Sequence, residues 1–200
     1  MAGDSSYSTP TDGYYDPWPQ CKLDRPIAVC SFFGGGGSSV AKRLAALGGW
    51  RHVDVYEETA HRLGQHRAAV GTSMENPDWC DAEERVLESA INRTPAGIIG
   101  LTEGCLVDER TIDLLRFRTH LVMVDVDILR LQERLLDENE ANPERFPEFT
   151  ERPIPDLHTL RLLHKERSAL YDAAAVRIDA TRLSPAVAAR RTLKALRISP

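Results

Sequence analysis

One stretch near the N-terminal end most constrains how this chain can fold. Ile27–Phe33 is a short apolar run of the kind found in buried β-strands, and it ends in four glycines, Gly34 to Gly37. Ser38 and Ser39 follow, and Val40–Leu47 then has the apolar spacing of a helix. A strand, a glycine-rich loop and a helix in this order form the first half of a βαβ unit, which predicts a parallel sheet covered by helices.

Strands and helices alternate along the rest of the chain. Further strands are predicted at His52–Val55, Ala96–Leu101, His120–Val126 and Val176–Ile178. Helices are predicted at Ser39–Leu47, Glu57–Gly64, Pro77–Ile91, Glu109–Arg116, Ile128–Asp137, Leu157–Ala173 and Pro185–Leu196. Asn76 and Ser184, each followed by proline, are typical of helix N-caps. The predicted fold class is α/β: a three-layer, doubly wound, five-stranded parallel sheet with helices on both faces.

Two segments fall outside this alternation. Residues 1–24, rich in Ser, Thr, Gly, Asp, Tyr and Pro, are predicted to be a flexible tail before a domain of residues 25–200. Two alternatives stay open for its aromatic part, Tyr14–Pro19: it packs on its own domain, or it docks a protein partner. Residues 138–156 are charged, contain prolines and lack periodicity, which predicts a lid.

Charge and cysteine content exclude several classes of function. The net charge of −5 argues against a nucleic-acid surface. A membrane span needs about 18 consecutive apolar residues, and no window approaches this. The N-terminus lacks a signal pattern, and the four cysteines lack the C-x-x-C spacing of a zinc site, so we expect a cytoplasmic protein with reduced thiols.

The glycine loop has most of a phosphate-binding motif. That motif reads G-x-x-x-x-G-K-[ST], with backbone N–H groups around the phosphates and a lysine on the outer oxygens. Aligned on Ser38, the first glycine position is Ser31 and the lysine position is Gly37. Lys42 lies about one helical turn further on, and we expect it to be solvated. On sequence alone, Gly37→Lys is the substitution that would restore the lost charge.

The order of these motifs resembles the shikimate kinase family over about residues 26–197. The matching pieces are the loop Ser31–Ser39, then Val53-Asp54, Glu57-Glu58, Arg62-Leu63-Gly64, Arg152-Pro153, Glu166 to Tyr171, Ile178 to Thr181, and Leu183-Ser184-Pro185. The resemblance implies a P-loop kinase fold that uses ATP and Mg²⁺ to phosphorylate a sugar-like hydroxyl. The missing lysine predicts that ATP and Mg²⁺ bind weakly or not at all.

The resemblance also assigns roles on the nucleotide side. The nucleotide-binding candidates are Gly34, Gly35, Gly36, Gly37, Ser38, Ser39, Arg134, Arg152 and Arg182. Ser38 and Asp54 are the candidate Mg²⁺ ligands, Asp54 and the lid residue Arg152 are the catalytic candidates, and Arg134 matches an arginine that lies against adenine. Ser38 as a helix N-cap, and Arg134 and Arg152 as solvated surface charges, are the alternatives.

The acceptor side departs from the family pattern. Tyr56 stands where the family has a second acidic residue, and Cys80 stands where it has an arginine for the substrate carboxylate. Thr102-Glu103-Gly104 replaces a triple glycine, so Gly104 and Arg167 are the substrate-binding candidates that remain. An ion pair with Glu103 is the alternative role for Arg167.

The sequence keeps parts of the nucleotide side and departs from the family pattern on the acceptor side, which leaves three hypotheses about function. The preferred one is a catalytically degenerate family member that keeps weak nucleotide or anion binding and acts through a small-molecule metabolite or a protein partner. The second is an active kinase that phosphorylates shikimate or a related metabolite with a non-standard phosphate loop. The third is a fold retained as an interaction module, with the tail as its contact.

Overall fold

A computed structural model describes residues 22–64, 76–102, 109–141 and 154–199. Most of the predicted tail, residues 142–153 of the predicted lid, and the candidates Glu103, Gly104 and Arg152 lie outside these ranges. The side chains of Glu138, Ala169 and Leu170 are also outside the description.

Five parallel strands form the central sheet. They are β1 Ile27–Ser31, β2 His52–Asp54, β3 Ile98–Gly100, β4 His120–Asp125 and β5 Val176–Asp179. Their spatial order is β2-β3-β1-β4-β5, with every pairing parallel. The central strands β1, β3 and β4 are buried almost throughout, which explains why they read as continuous apolar runs.

Seven helices of the described part pack around this sheet, on both of its sides. They are α1 Gly37–Gly48, α2 Val55–Arg62, α3 Pro77–Ile91, α4 Glu109–Arg118, α5 Ile128–Ala141, α6 Leu157–Tyr171 and α7 Pro185–Leu196. The two predicted caps are confirmed: the Asn76 side chain accepts the Asp78 N–H, and the Ser184 hydroxyl accepts the Val187 N–H. The predicted fold class is confirmed as well.

Two helices begin earlier than predicted, for local reasons. Helix α1 begins at Gly37 instead of Ser39, because Gly36 adopts a left-handed conformation (φ 88°) and serves as its N-cap. Helix α2 begins at Val55 instead of Glu57, because the Asp54 carboxylate accepts the Glu57 N–H directly after strand β2. No helix in the described ranges is long and apolar enough to cross a membrane.

The strand order reverses beside β1. The chain leaves β1 for β2, returns to pair β3 with β1, and then crosses to β4 on the opposite side of β1. Such a reversal is where ligands bind in open α/β sheets, at the carboxyl ends of the strands. Residues 32–36, which connect β1 to α1, lie at this point.

Candidate phosphate-binding site

The loop between β1 and α1 is a tight turn that depends on its glycines. The Gly35 N–H donates to the Phe32 carbonyl at 2.8 Å, and Gly34 has a left-handed φ of 64°. A Cβ at Gly34 would lie 2.7 Å from Leu135 Cδ2, so the loop backbone sits directly on helix α5. A side chain at this position would therefore be strained and would also clash.

The lysine position of the motif is occupied by Gly37, and Ser31 fills the adjacent space. The Gly37 N–H donates to Ser31 Oγ at 3.1 Å. A Cβ at Gly37 would lie 2.7 Å from that hydroxyl oxygen. Sequence reasoning assigned Ser31 to the first glycine position and gave its hydroxyl no role. The sequence did contain a signal for this contact: position 31 has serine in place of the motif's glycine, and position 37 has glycine in place of its lysine.

Ser38 and Ser39 lie in the first turn of α1, where both are partly buried. The N-cap of this helix is Gly36, so the alternative prediction that Ser38 is the N-cap is wrong. The first intrahelical bond runs from the Val40 N–H to the Gly36 carbonyl. The helix therefore gives no partner to the three preceding N–H groups, which are the donors that anions use at helix N-termini.

Asp54 ends strand β2 and is buried, with 8% of its surface exposed. Its Oδ1 accepts the Glu57 N–H at 3.2 Å, and its Oδ2 lies 3.8 Å from where a Cβ at Gly100 would be. Burial lowers the pKa of the neighbouring His52, which favours the uncharged imidazole. One carboxylate oxygen of Asp54 is thus used in capping, and the other faces the side-chain-free surface of strand β3.

Lys42 contacts helix α2. Its Nζ lies 3.3 Å from Glu57 Oε1, and both side chains are about half exposed. The ammonium group therefore has a carboxylate partner on another element. The sequence predicts a solvated Lys42; the side chain is about half exposed, but its ammonium group pairs with Glu57.

The two described arginines of the predicted adenine side belong to adjoining elements. Arg134 on α5 donates from Nη2 to the Thr181 carbonyl at 3.3 Å, and Arg182 is the next residue of that loop. The same loop is fixed by Thr181, whose hydroxyl accepts the Asp127 N–H at 2.9 Å. Arg182 is exposed.

On the acceptor side, Tyr56 is packed against an aromatic neighbour. Its ring centroid lies 5.2 Å from that of Trp79, which is 2% exposed. Ala60 and Leu63 complete this small apolar cluster, which is separate from the main core. Cys80, which the resemblance places at the position of the family's arginine, is exposed.

A buried carboxyl group, Glu83, lies next to this cluster and was missed by sequence reasoning. It is 7% exposed, and its Oε1 accepts from Thr102 Oγ1 at 2.5 Å and from Trp79 Nε1 at 3.3 Å. Burial raises its pKa above the ordinary value of 4.5, against the opposing effect of the two hydrogen bonds. The signal was its place four residues after Trp79, on the apolar face of α3.

Arg167, the remaining described substrate-binding candidate, lies against the glycine loop. Its guanidinium carbon is 4.9 Å from the centroid of the Phe33 ring, which is cation–π distance. Phe33 directly precedes Gly34, so helix α6 brings a positive charge to the loop. The partner predicted for Arg167, Glu103, lies outside the described residues.

The sheet order and the glycine loop define a P-loop kinase fold. A family model described as shikimate kinase matches residues 33–197. The chain therefore belongs to the shikimate kinase family. A search among curated proteins finds no match.

Solved shikimate kinases share this fold at low sequence identity. The enzyme from Acinetobacter baumannii in complex with shikimate is 19% identical, with a TM-score of 0.71 over 88% of this chain and 94% of that one. The enzyme from Bacteroides thetaiotaomicron is 14% identical, with a TM-score of 0.72 over 87% of this chain and 99% of that one. The enzyme from Aquifex aeolicus is 21% identical, with a TM-score of 0.68 over 86% and 96%.

Proposed function

We propose that this chain binds ATP or another phosphate-bearing metabolite at its glycine loop, and that it does not phosphorylate shikimate. Its biological role is then exerted through binding, to a small molecule or a protein partner. The observation that carries this proposal is the contact at the lysine position, where Ser31 Oγ takes the Gly37 N–H. Phosphoryl transfer depends on positive charge at this point, and losing one preorganised contact of this kind costs about 10²–10³ in rate.

Binding is supported by the parts of the loop that remain. The turn is built on glycines, it lies at the reversal of strand order, and α1 begins with N–H groups that the helix leaves unbonded. Backbone donors and the positive end of a helix attract phosphate without a side-chain cation. The binding should be weaker than that of a complete motif, because no lysine adds to it.

Loss of transfer to shikimate is supported by the acceptor side. A phenol such as Tyr56 has a pKa of about 10, so it does not act as a carboxylate base at neutral pH. Its ring packs on Trp79 instead, and the nearby carboxyl of Glu83 is buried with Thr102 bonded to it. Tyr56 and Glu83 are thus engaged with other side chains of the protein, which supports the loss of transfer.

The residues present fit a Mg²⁺ ion only together with a phosphate. Mg²⁺ in kinase sites takes one or two protein oxygens and completes its shell with phosphate and water. Ser38 and Asp54 Oδ2 offer those two oxygens, while no group of three or more metal-ligating side chains occurs in the described part of the chain. We propose that Mg²⁺, when bound with ATP, neutralises phosphate charge there.

Calorimetric titration of ATP, with and without Mg²⁺, tests the binding half of the proposal. Arg134→Ala should weaken ATP binding several-fold, because Arg134 is the arginine that the resemblance places against adenine. Arg130→Ala is the matched control on the same helix, since Arg130 is exposed and pairs with Glu133. No binding of ATP at millimolar concentration to the wild-type protein would overturn the proposal.

An ADP-release assay with shikimate tests the other half. We expect turnover at background level, both with Mg²⁺-ATP alone and with shikimate added. Turnover that depends on shikimate would contradict the proposal and would show that the acceptor side is intact despite Tyr56 and Cys80.

One observation favours the alternative of an active kinase with another acceptor. Arg167 brings a guanidinium to within 4.9 Å of the Phe33 ring, beside the loop that lacks its lysine. If it stabilises transferred phosphate, a screen of hydroxylated metabolites should find turnover that Arg167→Ala abolishes and Arg167→Lys partly keeps. Equal loss in Arg167→Lys and Arg167→Ala would instead fit a packing role against Phe33.

A further inference from the structure

We propose that the Ser31 hydroxyl is an internal occupant of the phosphate loop, which a phosphate oxygen must displace in order to bind. This inference rests on the proposed function and adds to it a residue that sets the affinity of the loop. The hydroxyl oxygen lies 3.1 Å from the Gly37 nitrogen and accepts its N–H, the first donor of helix α1. A phosphate oxygen bound in the loop would use that same donor.

Space as well as hydrogen bonding ties Ser31 to the loop. A Cβ at Gly37 would lie 2.7 Å from Ser31 Oγ and 3.1 Å from Ser31 Cβ. A Cβ at Gly35 would lie 3.0 Å from the same Ser31 Cβ. The serine side chain thus fills the inside of the turn, and Gly37 is the residue that makes room for it.

The two departures from the motif, serine at position 31 and glycine at position 37, therefore depend on each other sterically. A lysine at position 37 needs the space that Ser31 occupies, so Gly37→Lys alone forces the serine or the loop to shift. Restoring the motif requires glycine at position 31 as well. The single substitution that the sequence suggests would fail for a steric reason, with no bearing on whether the site can hold ATP.

The chemistry of the contact allows displacement. A serine hydroxyl is a neutral acceptor, whereas a phosphate oxygen is charged and forms the stronger hydrogen bond with the same N–H. Phosphate can thus replace Ser31 Oγ, at the cost of one neutral hydrogen bond. Removing the hydroxyl should tighten phosphate binding about fivefold, which is the weight of one such bond.

Titration of inorganic phosphate and ATP into Ser31→Ala and Ser31→Gly tests the occupancy. Both variants should bind phosphate more tightly than wild type, since both free the Gly37 N–H. Ser89→Ala, on the exposed face of α3, is the control and should leave binding unchanged. Weaker binding in Ser31→Ala, with wild-type binding intact, would make Ser31 a ligand of the phosphate and would overturn the proposal.

Thermal unfolding tests the steric coupling of positions 31 and 37 without any ligand. Gly37→Lys is introduced into the wild-type, Ser31→Ala and Ser31→Gly proteins. Gly37→Lys should lower Tm in the wild-type and Ser31→Ala backgrounds, because Cβ remains in both, and much less in Ser31→Gly. Equal loss in all three would overturn the coupling. The titrations and the unfolding experiment can also disagree. If neither the wild-type protein nor any variant binds phosphate or ATP, the proposed function and the displacement proposal both fail. The steric coupling between positions 31 and 37 then stands or falls on the Tm values alone.

Discussion

The roles of several individual residues depend on contacts that form only in the folded protein. Ser31 accepts the backbone N–H of Gly37, six residues further along the chain. Glu83 contacts Thr102, and Arg167 contacts Phe33, which are more distant in sequence. Residue types and spacing located the loop, but they could not reveal these contacts. A hydroxyl, a carboxyl or a guanidinium takes its role from the side chains that face it in the folded chain.

The pKa of Glu83 predicts a pH dependence of stability. Because burial raises its pKa in the folded state, Glu83 contributes most stability below its unfolded pKa near 4.5 and loses it as pH rises through the folded value. Glu83→Gln should therefore gain stability relative to wild type between pH 4.5 and neutrality, by at most about 1.4 kcal/mol per pH unit. Urea unfolding across this range measures it.

Glu84→Gln is the matched control for that experiment. Glu84 is the next residue on the same helix, but it is about half exposed and lies 3.7 Å from Arg110. An exposed ion pair of this kind contributes little, so its profile should follow wild type. Parallel profiles for Glu83→Gln and wild type would show that Glu83 is ionised at little cost in the folded protein.

The loop glycines differ in what they tolerate, which gives a second prediction. Both Gly34 and Gly36 have positive φ, but a Cβ at Gly34 meets Leu135 while one at Gly36 meets nothing within 4 Å. Gly36→Ala should cost about 1–2 kcal/mol for the backbone conformation alone. Gly34→Ala should cost about 1–3 kcal/mol more from overpacking. Equal losses in chemical denaturation would contradict the packing of the loop on α5.

At the scale of elements, hydrophobic periodicity and capping signals carried most of the prediction. The alternation of short apolar runs and amphipathic stretches located all five strands and seven helices of the described part. Starts marked by a capping side chain before proline, as at α3 and α7, were also predicted correctly. The start of α1 was not, because it depends on the left-handed backbone of Gly36, which an unbroken run of glycines leaves ambiguous.

Asp54, one of the proposed Mg²⁺ ligands, is also the N-cap of helix α2. Asp54 caps this helix through Oδ1, so Asp54→Ala should destabilise the protein by about 1 kcal/mol. Asp54→Asn should keep the cap, because an amide oxygen accepts the Glu57 N–H equally well. It should, however, lose much of the gain in ATP affinity that Mg²⁺ provides, because the carboxylate charge is gone.

Thermal unfolding and ATP titration of both variants separate the two roles of Asp54. A stable Asp54→Asn protein whose ATP affinity still rises with Mg²⁺ as in wild type would remove Asp54 from the proposed metal site. It would leave the residue with its capping role alone.

At the scale of the whole molecule, strand order determines where the site can be. The order β2-β3-β1-β4-β5 brings the ends of β1, β2 and β3 to one edge, with the glycine loop, Asp54 and Gly100 at or near it. The βα alternation and the resemblance predicted a five-stranded parallel sheet with the glycine loop after its first strand, but they did not predict the strand order. The sequence could not predict that Tyr56 packs on Trp79, because that contact depends on helices α2 and α3 meeting.

Ligand binding at that edge should stabilise the entire domain, because the loop, α1 and α5 share one core. ATP at ten times its Kd should add about 1.4 kcal/mol to the unfolding free energy. For a domain of this size that is a rise in Tm of about 3–6 °C. Shikimate alone should give no shift, because Tyr56 and Cys80 stand where the resemblance places the family's second acidic residue and its carboxylate-binding arginine. Differential scanning fluorimetry measures both Tm shifts. A shift with shikimate but none with ATP would contradict the proposal, because the ligand would then bind on the acceptor side and not at the glycine loop.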